Sequence, residues 1–407
     1  MDAKHSLGEP RVLISRAALL HNALVVRKAL DENTRICAIL KADAYGHGVD
    51  IVADTFCNFS ADGSLRPMVD AIAVASLDEA AALPEVAPPI IIFRPLENLF
   101  IGRQRQKVEA AVRAGWTQTI CTTSAADDLA RIAISTGKRA AVQVMVDTGM
   151  TRSGVALSHL EELIDRINSR TSLRLAGVCT HFANADDRDD PFTREQLLRF
   201  NAATAGVEAR FRGRVLRHAA NSAGVFFHPD SHFDMVRPGL ALYGIDPSGR
   251  PNMNRPLRPA MKWTAPLVGV KTVRKGTAVG YGQTWTAPRD TRIGLIPIGY
   301  ADGYPRCLGN NASVLIHGKP APVVGRVSMD LTTVDLSETP GAQIGDEVTL
   351  MDDDPLSPVS VYNVAKWSDT IPYEVLCRIG PRVERVVIES EDEAGMDEAE
   401  VDRTWAP

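Results

Sequence analysis

From residue 11 to 245 the chain alternates short, almost wholly apolar runs with longer stretches whose apolar residues recur at i, i+3, i+4 and i+7. The short runs are RICAILK (35–41), AIAVAS (71–76), PIIIFR (89–94), TQTICT (117–122), RAAVQVMVD (139–147), RLAGVCTH (174–181), LRHAAN (216–221) and DMVR (234–237). The longer stretches include SAADDLARIAIS (124–135), SHLEELIDRIN (158–168) and TREQLLRFNAATAGVEARF (193–211), each opening on a Ser or Thr that can cap a helix. Near-continuous apolar strands alternating with amphipathic helices predict a parallel sheet covered by helices. Strands of this number predict a (β/α)8 barrel of the TIM type. The segment 77–116 fits least well, because Pro84, Pro88 and Pro89 interrupt its helical pattern.

Past residue 245 the texture changes. DPSGRPNMNRPLRPA (246–260) is rich in proline and glycine and reads as a linker. From 261 to 388, β-rich runs such as APLVGVKTV, TRIGLIPIG, ASVLIHG, APVVGRVSMD and DEVTLM are separated by Gly, Pro and Asp. That spacing predicts a mostly β, largely antiparallel C-terminal domain, with residues 1–10 expected to pack against it. The tail 389–407 is acidic and poor in apolar residues, so it is expected to be disordered. The fold expected overall is α/β, a barrel followed by a β domain.

Composition narrows the chemistry. The 407 residues are 45% hydrophobic and 23% charged, with a formal net charge of −5 and no long basic run, which argues against nucleic acid as a partner. No apolar run is long enough for a membrane span, and the N-terminus has no apolar secretory core. Six dispersed cysteines without a C-x-x-C pair suit reduced thiols in a cytoplasmic protein. HPDSH (228–232) holds metal-capable residues, but its loop context argues against a metal site.

In a (β/α)8 barrel the chemistry sits at the C-terminal ends of the strands. Polar and ionisable residues collect there: Lys41, Arg152, His181, Asn221 with Ser222, and Arg237. Taken singly, each is more easily read as a packing or ion-pair residue. Together with the small residues of NSAG (221–224) and RPGLALYG (237–244), which can leave backbone N–H groups open to a phosphate, they suggest pyridoxal phosphate with Lys41 as its Schiff-base partner.

AILKADAYGHG (38–48) resembles the cofactor-attachment motif of the alanine racemase family. VDTGMTRSG, THFANAD, HAANSAG and VRPGLALYG follow in the barrel, and GYGQTW, IPIGYADGYPR, GRVSMD and PYEVLCRIGPRVER in the β domain, in that family's order. The resemblance implies interconversion of L- and D-alanine by two bases on opposite faces of Cα, Lys41 and Tyr281, supplying D-alanine for the cell wall. It implies a homodimer in which the tyrosine comes from the partner subunit. Arg237 is expected at the pyridine nitrogen, and His181 between Arg237 and Tyr281. Tyr45, Ser222, Tyr373 and the backbone of Gly239 and Leu240 are the expected phosphate ligands. Arg152 and the N–H of Met329 are expected on the substrate carboxylate and the cofactor's phenolic oxygen, with Asp186, Tyr300 and Arg326 lining the entrance. Racemisation of another amino acid such as serine, or a non-catalytic pyridoxal-phosphate carrier, stays open as an alternative.

One position departs from the family pattern. Met145 occupies the place where most relatives carry a carbamylated lysine that orients the arginine. The expectation is that Arg152 is held instead by Asp147 or by another anion.

Overall fold

The structure is a computed structural model and describes residues 9–59, 67–85, 88–97, 103–211 and 213–389. The chain divides into two compact units. One comprises Asn22–Ala44 and Val52–Leu242; the other holds the segment ending at His21, Tyr45–Ile51, and the chain from Tyr243 onward.

Strand β1 (Arg11–Ser15) belongs to the second unit and opens the chain's order. The first unit contains β2 (Arg35–Ile39), β3 (Ala71–Val74), β4 (Ile90–Ile92), β5 (Thr117–Ile120), β6 (Ala140–Asp147), β7 (Val155–Ala156), β8 (Leu173–Cys179), β9 (Leu216–His218) and β10 (Met235–Val236). Eight of these run in parallel in the order β10-β2-β3-β4-β5-β6-β8-β9, with β7 paired to β6 off the path. Asp234 N–H donates to Arg217 O at 3.1 Å and Arg237 N–H to Ala220 O at 2.8 Å, so β9 and β10 meet and the sheet nearly closes. The expected barrel is present. Helices Thr123–Thr136, Leu160–Asn168 and Phe192–Phe211 coincide with the amphipathic stretches. The first of these is capped by Thr122, whose hydroxyl accepts from Ala125 N–H, rather than by Ser124.

Side chains alternate along each strand, and odd-numbered residues such as Cys37, Ala73, Ile91, Gln143 and Met235 face the bore, joined on β9 by the even-numbered Leu216 and His218. Cys37, Ala71, Ala73, Ile91 and Met235 form its lower apolar packing, and Cys121, Met145 and Cys179 with Phe93 form an upper cluster. His218 and Arg237 lie on the same inward face and are both buried.

In the second unit a six-stranded sheet runs β17 (Lys319–Pro322), β16 (Ser313–Ile316), β19 (Glu347–Met351), β11 (Met261–Pro266), β1, β20 (Glu384–Ile388). A three-stranded sheet joins β12 (Gly269–Val273), β15 (Thr291–Ile296) and β18 (Thr332–Asp335), and β13 (Ala278–Val279) forms a hairpin with β14 (Trp285–Thr286). Pairing is antiparallel except between β1 and β20.

Residues 11–15 correct the expected barrel span of 11–245, since β1 completes the sheet of the other unit between β11 and β20. Its alternating RVLIS pattern is that of a half-buried strand and lacks the continuous apolarity of the barrel strands. Nearly all of the expected N-terminal segment 1–10 and of the tail 389–407 lies outside the described residues. Of the six cysteines, Cys37, Cys57, Cys121 and Cys179 are buried thiols, whereas Cys307 and Cys377 are exposed. No helix among the described residues is long and apolar enough to cross a membrane.

Candidate functional site

The barrel unit gathers a cationic cluster at its strand ends. Arg237, 3% exposed, donates through one terminal nitrogen to Thr180 O at 2.7 Å and Ala219 O at 2.9 Å, and through the other to His218 Nδ1 at 3.0 Å. Its guanidinium also lies 3.4 Å from His181 Nδ1 and stacks over the Phe93 ring at 5.3 Å. Among the described residues neither Arg237 nor Arg152 forms an ion pair. Burial, and then the positive charges of Arg237, Arg152 and Lys41, push His181 down to about 3. Burial and Arg237 also hold His218 well below its ordinary value. Three cations therefore converge on a histidine that stays neutral, and an anion is the guest such a cluster favours.

Lys41 lies just past the end of a largely buried strand. β2 stops at Ile39, Leu40 is buried, and Lys41 is exposed in the single chain. Desolvation of its amine is accordingly not a property of this chain on its own. The turn that follows is left-handed: Ala42, Asp43, Ala44 and Tyr45 all have φ between 51° and 54°, with Gly46 at 79°. Successive non-glycine residues in this region cost about 1–2 kcal/mol each. The turn is braced by Ala42 N–H donating to Glu79 Oε1 at 3.1 Å and Ala44 N–H to Leu40 O at 3.0 Å. Glu79 also accepts from Ala75 and Ser76 N–H at 2.6 and 3.1 Å, which anchors its carboxylate.

After β9 and β10 a small cradle forms. Ser222 Oγ accepts from Gly239 N–H at 3.0 Å and from Ala241 N–H at 3.1 Å. Both lone pairs are then used, and the hydroxyl hydrogen is left to donate outward. Gly239 N–H, expected to face a phosphate, is spent on Ser222; Leu240 N–H makes no hydrogen bond among the described residues.

Asp147 does not hold Arg152. Its Oδ1 accepts from Gly149 N–H at 2.9 Å and Thr151 N–H at 3.0 Å, shaping the loop that carries the exposed arginine. Met145 packs against Cys121, Cys179 and Phe93, and its sulfur accepts from the Ser153 hydroxyl at 3.3 Å. Asp186 is exposed beyond β8. The histidines of HPDSH engage backbone carbonyls, His228 Nε2 that of Ala185 and His232 Nε2 that of Val225.

The β unit holds the other expected residues, in three separate groups. Tyr45 is buried, with its ring centroid 5.8 Å from that of Tyr373 and 4.9 Å from that of Tyr243, and burial raises its phenol far above the ordinary range. Tyr281 sits in the turn between β13 and β14 and is 70% exposed. Gly280 and Gly282 flank it with φ of 73° and 72°, and a Cβ at Gly282 would lie 3.0 Å from the Arg326 guanidinium. Arg326 is thus seated against the Tyr281 turn. Tyr300 N–H donates to Ser328 O at 3.0 Å and Ala301 N–H to Met329 O at 2.9 Å, placing Tyr300 beside Met329. The side chains of both are exposed, and Met329 N–H makes no hydrogen bond among the described residues.

Sequence reasoning missed His218 and Glu79. His218 opens HAANSAG and falls on the inward phase of β9, which was a usable signal. Glu79 closes SLDE (76–79), whose S-x-x-E spacing marks a capping box at a helix start, but nothing local indicates its reach to the Ala42 turn.

The barrel region, residues 14–247, matches the family model described as alanine racemase, N-terminal domain, and residues 260–387 match the C-terminal domain of the same family. The chain belongs to the alanine racemase family. The alanine racemase of Desulfovibrio desulfuricans is 40% identical over 377 residues, 92% of this chain and 97% of that protein. Among solved structures, alanine racemase from Clostridium difficile 630 superposes with a TM-score of 0.84 at 33% identity, covering 94% of this chain and 96% of that one. The alanine racemase of Bartonella henselae, solved with covalently bound pyridoxal phosphate, gives a TM-score of 0.78 at 27% identity over 93% of this chain and 99% of that one. The residues present fit that cofactor: an outward hydroxyl at Ser222, an unengaged Leu240 N–H, and a buried arginine without a carboxylate partner.

Proposed function

We propose that this chain racemises alanine with pyridoxal phosphate, using Lys41 and Tyr281 as the two bases. The observation that carries the reading is the convergence of Arg237, Arg152 and Lys41 on a neutral His181 beside the Ser222 cradle. Lys41 would hold the cofactor, Ser222, Leu240, Tyr45 and Tyr373 its phosphate, and Arg237 its pyridine nitrogen. When bound, pyridoxal phosphate supplies the electron sink that makes the substrate's Cα–H acidic enough to remove.

The protein's part is to position groups and move protons. Lys41 Nζ takes or returns the Cα proton on one face, and Tyr281 Oη does so on the other. Arg237 does not give up its proton, so it offers a hydrogen bond without protonating what it faces. His181, kept neutral, can accept from Arg237 and relay polarity toward a tyrosine. Arg152 and Met329 N–H orient the substrate carboxylate.

Tyr281, Met329 and Tyr300 are 70%, 53% and 44% exposed, which supports a homodimer that covers them and brings Tyr281 to the second copy's Lys41. The cytoplasm is the compartment proposed. The test is chiral chromatography of L-alanine incubated with the holoenzyme, beside L-serine and a panel of other L-amino acids. D-alanine should form fastest, and Lys41→Ala should abolish it. A protein that binds the cofactor and leaves every enantiomer ratio unchanged would be a carrier, and the reading would fall.

A further inference from the structure

The opposite end of the barrel bore holds a cavity of about 380 Å³ that the proposed reaction does not use. Such a volume is in the range of small-molecule pockets. Its existence follows from side-chain periodicity. On β6 the inward residues are Gln143 and, two further on, Met145; on β8 the inward residue paired with Gln143 is Gly177. Gly177 puts no side chain into the bore, and its φ is unremarkable, so conformation is not what requires it. A Cβ built there would lie 3.2 Å from His218 Nε2 and 3.1 Å from Leu216 O.

The inner wall carries two polar atoms with defined roles. Arginine has only donors, so Arg237 fixes His218 Nδ1 as an acceptor and places the ring proton on Nε2. That Nε2–H has no partner among the described residues, although His218 is 1% exposed and lines the cavity. Gln143 donates its amide to Thr119 Oγ1 at 2.7 Å, and its carbonyl oxygen accepts nothing among the described residues. The inner end therefore presents one donor and one acceptor. At the outer end stand Arg35, Arg174 and Arg214, against a single carboxylate, Asp70. None of the three arginines forms an ion pair among the described residues, and Asp70 Oδ2 is engaged by Ile36 N–H at 2.8 Å.

We infer that this cavity is a binding site for a small hydroxycarboxylate, with its carboxylate on the arginines and its hydroxyl between His218 Nε2–H and the Gln143 carbonyl. A hydroxyl both accepts and donates, which is what the inner pair demands, and guanidinium forks match carboxylates. Occupancy would stiffen His218 and, through its 3.0 Å bond, the Arg237 guanidinium. That coupling to the reaction rests on the proposed role of Arg237; the binding does not.

The probe is L-malate, titrated calorimetrically into the holoenzyme, with succinate as its counterpart lacking the hydroxyl. Saturable malate binding is expected, weakened about tenfold in Arg174→Ala and in Gly177→Ala, with kcat/KM for alanine unchanged in Arg174→Ala. Succinate should bind several-fold more weakly than malate. Absence of saturable binding, or equal affinity in wild type and both variants, overturns the site; equal affinity for succinate overturns the role given to His218 and Gln143. A malate-induced shift of the cofactor's visible absorption, lost in Gly177→Ala, would carry the coupling to Arg237. Binding without that shift would remove the coupling alone.

Discussion

Arg237 and Tyr281 are proposed to serve one reaction, yet their surroundings are opposite. Arg237 is buried in the barrel bore and tied to two carbonyls and a histidine ring. Tyr281 rides on a two-strand hairpin, flanked by glycines, with most of its ring exposed. The barrel organises its polar groups through its own hydrogen bonds. The β unit presents large apolar and aromatic side chains that nothing in the single chain covers. Groups of the first kind are bound up with folding; groups of the second kind become chemically useful only when another surface desolvates them.

The sharpest contrast should come from Tyr281→Phe. Racemase activity should fall about a thousandfold, the scale of a lost acid–base group, with unfolding free energy unchanged within about 0.5 kcal/mol. A comparable loss of stability, measured by urea titration, would erase the distinction. Arg237→Ala should instead cost stability as well as activity, about 3 kcal/mol of it, because Thr180 O, Ala219 O and His218 Nδ1 lose their donor together. Unchanged urea midpoints would show that water substitutes freely in the bore.

Met145→Lys tests the upper bore. An ammonium among Cys121, Cys179 and Phe93 should destabilise by about 3 kcal/mol. Bicarbonate should restore stability if it converts the new lysine to a carbamate, replacing the buried ammonium with an anion that the neighbouring Arg152 loop can pair with. A variant as stable as wild type without bicarbonate would mean the site already holds an anion.

The barrel's histidines also predict a pH dependence. His181 is held near 3 in the folded chain, below its ordinary value of 6.5. Between those values the unfolded chain binds the extra proton, so stability is full above about pH 6.5 and falls as pH drops. At pH 5 the loss from His181 is about 2 kcal/mol, and His218 acts in the same direction. Urea midpoints at pH 7.5 and pH 5 measure it; His181→Gln should flatten the slope, and a slope unaffected by that change would assign the dependence elsewhere. The smallest effect is expected from Ala42→Gly, a gain of about 1 kcal/mol or less, because glycine tolerates the left-handed φ of 54°. A loss of stability there would mean that the turn's geometry is set by the Ala42 methyl group.

The barrel was readable because its strands are buried on both faces, and the ends of each apolar run in the sequence fall within three residues of an observed strand. Residues 11–15 were misassigned because RVLIS alternates as well as any half-buried strand, and nothing local says which sheet it joins. Lys41 was expected at the very end of its strand because an apolar run precedes it, but β2 stops at Ile39 and the burial of Leu40 does not extend one residue further. Asp147 was an expected partner for Arg152 by proximity in sequence, whereas the backbone N–H groups of its own loop claim it.

By itself the sequence determined the alternation of strands and helices, the change of texture after residue 245, and the ordered motifs that mark the family. These are local quantities, set by periodicity and by residue type. Only the tertiary structure decided that Ala42–Tyr45 coil left-handed, that Gly239 N–H is consumed by Ser222, that His218 is locked in one tautomer by Arg237, and that Gly177 opens a cavity beneath it. Each depends on which groups from distant strands arrive at hydrogen-bonding distance. A donor has no preference for its partner's place in the chain, so no local pattern can record that choice.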